Sequence, residues 1–219
     1  MKKQYAVIGL GRFGSSLAKE LIELGFDVLG IDSSEQTVEK LNGILTRAVI
    51  ADSTDIEALK ALGIGNFDCV IVAIGNDIQS SILTSMLLKE LEVKTVVAKA
   101  LTELHGKVLN KMGVDRIVYP ERDMGIRVAH QLASPNLLDY IEISKDYTVA
   151  ELSVPKRLSG LSLKELDLRV KYGCSVIAIN RKDSVTIAPM GTDILNDSDV
   201  MVIIGNNQQI IDFEREFID

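Results

Sequence analysis

The chain has 219 residues, room for one large domain or two small ones at roughly 100 to 200 residues per domain. Apolar residues make up 47% and charged residues 25%, so a buried core is expected and a disordered chain is excluded. Lys and Arg total 24 against 31 Asp and Glu, a net charge of −7 that provides no positive excess to neutralise the phosphates of a duplex, so nucleic acid is not an expected partner.

In chain order, β-branched runs at 5–10, 27–31, 47–50, 69–74, 95–98 and 116–119 alternate with helical patterns, which predicts six strands joined by helices. Leu17, Leu21 and Leu24 recur at helical spacing before Gly25 closes that helix, and Leu83, Leu87 and Leu88 do the same after Asp77. Runs such as 69–74 are apolar at almost every position, as expected of strands covered by helices on both faces. Right-handed crossovers then give an α/β fold, a Rossmann-type doubly wound parallel sheet. After Pro120 an amphipathic helix spans 121–131, Pro135 breaks it, and a second short helix is expected over 137–140. Short strands at 149–154, 175–179, 184–188 and 199–204, with helices at 161–166 and 208–217, then predict a small α+β lobe of about 80 residues. The expected division is 1–134, the Rossmann domain with its crossover helix, and 135–219, the C-terminal lobe.

Cys69 and Cys174 are too few for a disulfide framework or a thiolate zinc site; they read as small buried strand residues in a reducing compartment. The N-terminus lacks a signal-peptide core, and the longest apolar stretches, 70–74 and 200–204, fall far short of the ~20 residues that span a bilayer. A cytoplasmic protein without direct membrane insertion is expected.

Gly9-Leu10-Gly11-Arg12-Phe13-Gly14 follows the first strand directly and opens a helix, the context that gives G-x-G-x-x-G its meaning. Gly9 permits the tight turn, Gly11 lets backbone approach a diphosphate, and Gly14 allows close helix-to-strand packing, with free N–H groups at the helix start facing the phosphate. Asp32 ends the second strand 18 residues beyond the last glycine, near the ~20 at which an acid accepts from ribose hydroxyls. A carboxylate there repels a 2′-phosphate and disfavours NADP, but NAD, ADP and ATP all present the same adenosine. Arg12 puts a permanent positive charge beside the phosphate position, where it could meet a terminal phosphate. Asp52, Ser53 and Thr54, and Gly75, Asn76 and Asp77, close the third and fourth strands, where open α/β sheets bind ligands. Asp52 and Ser53 suit adenine contacts, while Ser53 and Asp77 equally suit helix capping. His105 and His130 read as ordinary packing or surface residues, no His/Glu cluster has metal-ligand spacing, and the P-loop Gly-Lys-Ser/Thr is absent. With no obvious proton donor suited to a nicotinamide, an effector-binding protein is expected rather than an enzyme, the alternatives being an NAD-dependent oxidoreductase or a stand-alone nucleotide or redox sensor.

Together, residues 6–14, Asp32, 52–54, 72–75 and Tyr119-Pro120-Glu121-Arg122-Asp123-Met124-Gly125 resemble the RCK-domain (TrkA-type) family, the cytosolic regulatory subunits of Ktr/Trk potassium uptake systems, and especially the Ktr form. The resemblance implies homodimers assembled into an octameric ring beneath a membrane K+-translocating subunit, with ATP supporting the activated state and ADP the inactive one; NAD or NADH is the alternative ligand. It implies nucleotide contacts from Gly9, Leu10, Gly11, Arg12, Phe13, Gly14, Asp32, Ser33, Asp52, Ser53, Ala73, Ile74, Gly75, Lys99 and Glu121. Arg12 would reach the terminal phosphate of a nucleotide in the neighbouring subunit. Glu121 matches an acidic residue at the subunit interface that can bind Mg2+, Ca2+ or Na+, hard cations suited to carboxylate oxygen. The C-terminal lobe resembles the RCK_C module, which in many relatives binds cyclic di-AMP at a dimer interface. Leu163, Leu168, Val176 and Pro189 would offer an apolar floor for adenine, and Asp167, Arg169 and Lys171 polar contacts. Leucine and valine stand where several relatives have isoleucine.

Overall fold

The computed structural model describes residues 2–134 and 136–217; Pro135, where the sequence places a helix break, lies outside them. The chain divides into two compact units, Met1–Arg122 and Asp123–Asp219.

The first unit carries β1 (Gln4–Ile8), α1 (Arg12–Glu23), β2 (Asp27–Asp32), α2 (Glu35–Leu41), β3 (Arg47–Ile50), α3 (Ile56–Ala61), β4 (Cys69–Val72), α4 (Ile78–Glu90), β5 (Val96–Lys99), α5 (Glu103–Lys111) and β6 (Arg116–Val118). All six strands run parallel in the order β3-β2-β1-β4-β5-β6, the doubly wound arrangement expected. The order reverses between β1 and β4, and that switch point fixes where a ligand crevice opens. Successive residues of β1 explain the uniformly apolar runs: Ala6 and Ile8 pack into one core with Leu29, Ile31, Leu59 and Leu88, while Val7 packs into the other with Leu10, Val28 and Ile71. Strands β1 and β4 stop two residues earlier than their apolar runs. β1 ends at Ile8 because Gly9 turns the backbone at φ 90°, and β4 ends at Val72. Gly25 (φ 85°) terminates α1 as its sequence position predicts, and Leu24 before it is exposed.

The division between the units falls within α6 (Pro120–Ala133), none of whose residues is buried. The second unit continues with β7 (Leu137–Glu142), β8 (Tyr147–Ser153), α7 (Leu163–Leu166), α8 (Leu168–Lys171), β9 (Ser175–Arg181), β10 (Ser184–Ile187), β11 (Val200–Asn206) and α9 (Asn207–Phe217). Its sheet is ordered β10-β9-β11-β8-β7. The short helix expected over 137–140 is instead strand β7, antiparallel to β8 with Leu137 opposite Leu152 and Tyr140 opposite Ala150. Pairing overrides local preference here: Leu137 enters the core while Leu138 next to it is exposed, an alternation too brief to distinguish from a helical turn. α7 starts at Ser162 and Glu165, whose side chains cap each other's backbone N–H groups. Cys174 is fully buried, and burial pushes its thiol up to about 11. Cys69, half-buried, opens β4.

Candidate functional site

The glycine loop joins β1 to α1. An ideal Cβ on Gly9 would stand 3.0 Å from the Ile74 backbone nitrogen, and one on Gly14 would lie 1.9 Å from the Gly9 carbonyl oxygen. Those two glycines let strand and helix meet. Gly11 differs: nothing lies within 4 Å of its Cβ position, its φ is −63°, and it forms the N-cap of α1 without any side-chain cap. The first-turn N–H groups of α1 are thus left for a ligand, and no acidic side chain competes for them.

A cleft of about 600 Å³ opens at the carboxyl ends of the strands. Gly9, Gly11, Arg12 and Phe13 line it from the glycine loop, Asp32 and Ser33 from the end of β2 and the residue after it, Asp52 and Ser53 from the turn after β3, Ala73, Ile74 and Gly75 from the turn after β4, and Lys99 and Glu121 from β5 and α6. Leu10 and Gly14 support the loop from behind: Leu10 packs in the core, and Gly14 is buried in α1.

Asp32 acts on the loop as well as facing the cleft. Its Oδ2 accepts from the Leu10 N–H at 2.7 Å and its Oδ1 from the Ser34 N–H at 2.8 Å. The carboxylate keeps further lone pairs for ribose hydroxyls. Asp52 Oδ1 accepts from the Thr54 backbone and hydroxyl, and these bonds hold its carboxyl below the usual range. Ser53 is buried, its hydroxyl 2.9 Å from Thr84 Oγ1 on α4, and Asp55 caps α3. The capping role open to Ser53 is therefore not the one it plays, and its hydroxyl is occupied by α4. Asp77 does cap a helix, accepting from the Ser80 N–H at the start of α4.

Lys99 is 6% exposed, and its Nζ donates to Glu121 Oε1 at 2.5 Å while lying 5.9 Å from the centre of the Phe13 ring. Glu121 stands in the first turn of α6, and the Lys99 hydrogen bond, aided by the charges of Lys99 and Arg12, holds its carboxyl below the ordinary value. Gly75 makes room for this lysine: a Cβ there would stand 3.0 Å from Nζ. Among the described residues no three His, Cys, Asp or Glu side chains gather to hold a metal ion. Thr54 lines the cleft as its place after β3 predicts, and Leu101 also lines it without having been singled out by sequence; it follows the end of β5, the one signal that could have found it.

In the second unit the expected adenine floor changes. Leu168 is 4% exposed and spent in the core, so it offers no surface to a ligand. Leu163 and Val176 are half-buried against that core, and Pro189 is half-buried. Asp167 holds the left-handed joint between α7 and α8 (φ 48°), while Arg169 and Lys171 are exposed, Arg169 donating from Nε to Ser175 Oγ. His130 is exposed and packs edge-on to Tyr140, whereas His105 is buried.

The TrkA-N domain model matches residues 5–120 and the TrkA-C domain model residues 148–218. The chain is 47% identical over 218 residues to the Ktr system potassium uptake protein C of Bacillus subtilis (strain 168), covering 100% of this chain and 99% of that one. It is 45% identical over 214 residues to protein A of the same system and organism, covering 98% and 96%. Among solved structures, the GsuK RCK domain superposes with a TM-score of 0.70 at 19% identity, over 98% of this chain and 47% of that one. The GsuK channel bound to NAD superposes at 0.66 and 18%, over 95% and 38%. The chain thus spans less than half the length of these structures, which at such identities share its fold. The two domain models, matched in order along a chain that aligns end to end with Ktr proteins, show that it belongs to the TrkA-N/TrkA-C family of RCK proteins, in its Ktr branch.

Proposed function

We propose that this protein is a nucleotide-gated regulatory subunit of a Ktr-type potassium uptake system, a non-enzymatic subunit acting at the cytoplasmic face through a membrane K+-translocating partner. The observation that carries the reading is the uncapped start of α1 opening into a cleft that Asp32 and Arg12 also face. Asp32 holds the adenosine ribose, the N–H groups beside Gly11 hold the first phosphates, and Arg12 and Lys99 supply cations for the phosphates beyond. ATP and ADP differ only in that outer phosphate. A ligand shifts a conformational equilibrium only through its differential affinity for the two states, typically about 1–3 kcal/mol of coupling per site. An octameric ring of homodimers would multiply this bias without hydrolysis.

The Lys99–Glu121 pair gives the outer phosphate something to act on. A phosphate that draws Lys99 away frees the exposed Glu121 carboxylate for a hard cation, Mg2+, Ca2+ or Na+. One carboxylate is a partial ligand set, so the phosphates and a second subunit must supply the remaining oxygens. In the C-terminal unit, cyclic di-AMP is the proposed second effector, with Leu163, Val176 and Pro189 as its apolar surface and Asp167, Arg169 and Lys171 as polar partners. NAD remains the alternative first-site ligand, supported by the NAD-bound GsuK channel of like fold. Calorimetric titration of the full chain with ATP, ADP, NAD, NADH and cyclic di-AMP tests the assignment: submillimolar ATP and ADP binding is expected, and an NADH preference without response to ATP would sink the ATP switch.

A further inference from the structure

Among the described residues, His105 is the one buried titratable side chain near the cleft that this reading leaves without a task. It is 3% exposed and occupies the third position of α5. Its backbone N–H donates to Thr102 Oγ1 at 3.1 Å, and its ring Nδ1 accepts the Leu101 N–H at 3.4 Å. The two bonds form a reciprocal clasp around residues 101–105, a capping box in which imidazole takes the place of a carboxylate and reaches one residue further upstream. Leu101 lines the cleft, and Lys99, two residues earlier, carries the ammonium that meets Glu121.

An Nδ1 that accepts must be unprotonated, which places the ring proton on Nε2. Nε2 is sealed from solvent and has no hydrogen-bond partner among the described residues. A second proton would turn Nδ1 into a donor facing a donor and would bury a charge. The elements that pack most closely against α5 are α4 and β6. α4 brings Lys89, paired with Asp115, and Glu90; the β6 region brings Arg116 and Tyr119, whose hydroxyl packs at Gly106 and whose ring carries the Arg122 guanidinium at 4.0 Å. α5 itself carries Glu103, Lys107 and Lys111. None of these offsets a proton on the ring: burial alone lowers its basicity.

We propose that His105 is a positioning residue for the nucleotide cleft, fixing the wall at Leu101 through its neutral imidazole and releasing it when the cytoplasm acidifies. The effect on ligand affinity rests on the nucleotide reading above; the clasp itself does not. Because the folded state disfavours the charged imidazole, the clasp holds above the ordinary histidine value of about 6.5 and is lost as pH falls below it.

The test compares wild type with His105→Asn, whose Oδ1 can stand where Nδ1 stands but does not titrate, and with His105→Leu, which has no acceptor. ATP and ADP affinities are measured on the full chain near pH 8 and in steps down to about pH 5, because burial moves the imidazole below the ordinary histidine range. Wild type should lose severalfold more affinity than His105→Asn, with the loss developing only as pH falls below the ordinary histidine value. His105→Leu should bind weakly throughout. Equal losses in wild type and His105→Asn overturn the proposal. Ligand-free melting of the same proteins separates the two readings: an excess acid-induced fall in the melting temperature of wild type over His105→Asn supports the clasp even if no nucleotide binds, an outcome that would sink the nucleotide reading alone. Nitrogen NMR of the wild-type ring is independent of any variant, and a proton on Nδ1 at neutral pH overturns the assignment.

Discussion

Arg12 occupies the first position of α1, where the helix dipole disfavours a cation. The placement is locally unfavourable and becomes favourable once phosphate arrives. For Arg12→Ala we expect ADP affinity within about twofold of wild type and loss of most of the preference for ATP, a difference on the order of 1 kcal/mol. Titration calorimetry checks this, and equal loss of both nucleotides would make Arg12 structural. Glu121 sets a second expectation. Its folded carboxyl titrates below its ordinary 4.5, so the Lys99 pair persists at neutral and mildly acidic pH and is lost only as pH falls further. Glu121→Gln should therefore leave the pH dependence of binding above about pH 5.5 unchanged, as measured by titration across that range. Much of this chemistry was legible in the sequence, because a glycine fingerprint and an acid at fixed spacing are local. The burial of Lys99 beneath Gly75 and the diversion of the Ser53 hydroxyl to Thr84 were not, since each depends on residues from separate crossovers.

At the scale of elements, the three fingerprint glycines divide by what surrounds them. Gly14→Ala drives a methyl into the Gly9 carbonyl oxygen and should destabilise the first unit by about 3 kcal/mol or more, read as a lowered melting temperature. Gly11→Ala meets open space at an ordinary φ, so its melting temperature should match wild type while nucleotide affinity falls at least about tenfold. A stability loss in Gly11→Ala would place that glycine among the packing residues. The inner strands β1, β2, β4 and β5 were legible because both faces are buried in largely apolar runs, whereas the edge strands β3 and β6, each opening on an exposed Arg, were legible through their β-branched residues. β7 was misread because an edge strand of six residues carries one or two apolar pairs, and its identity comes from β8. The helix α8 was missed for a related reason: one turn has no period to detect.

On the scale of the molecule, each unit has a core of its own, with Leu59 and Leu88 fully buried in the first and Leu152 and Ile203 in the second. Leu152→Ala should cost the second unit about 2–5 kcal/mol and weaken cyclic di-AMP binding, with ATP affinity at the first unit unchanged below the melting transition. Calorimetric melting with paired titrations measures both. Among the described residues no helix is long and apolar enough to cross a membrane. The architecture was readable as two modules because the hydrophobic period changes along the chain, whereas the place where compactness divides, within α6, leaves no mark in a helix pattern that continues through it.

The Lys99–Glu121 pair carries a further consequence for ionic strength. Before any ligand arrives, the ammonium already has its counterion, supplied by the chain from a position shielded on the lysine side. A phosphate that takes Lys99 exchanges one anion for another and displaces no dissolved chloride from it. Lys99 should thus add little to the salt dependence of affinity, leaving that dependence to the exposed Arg12.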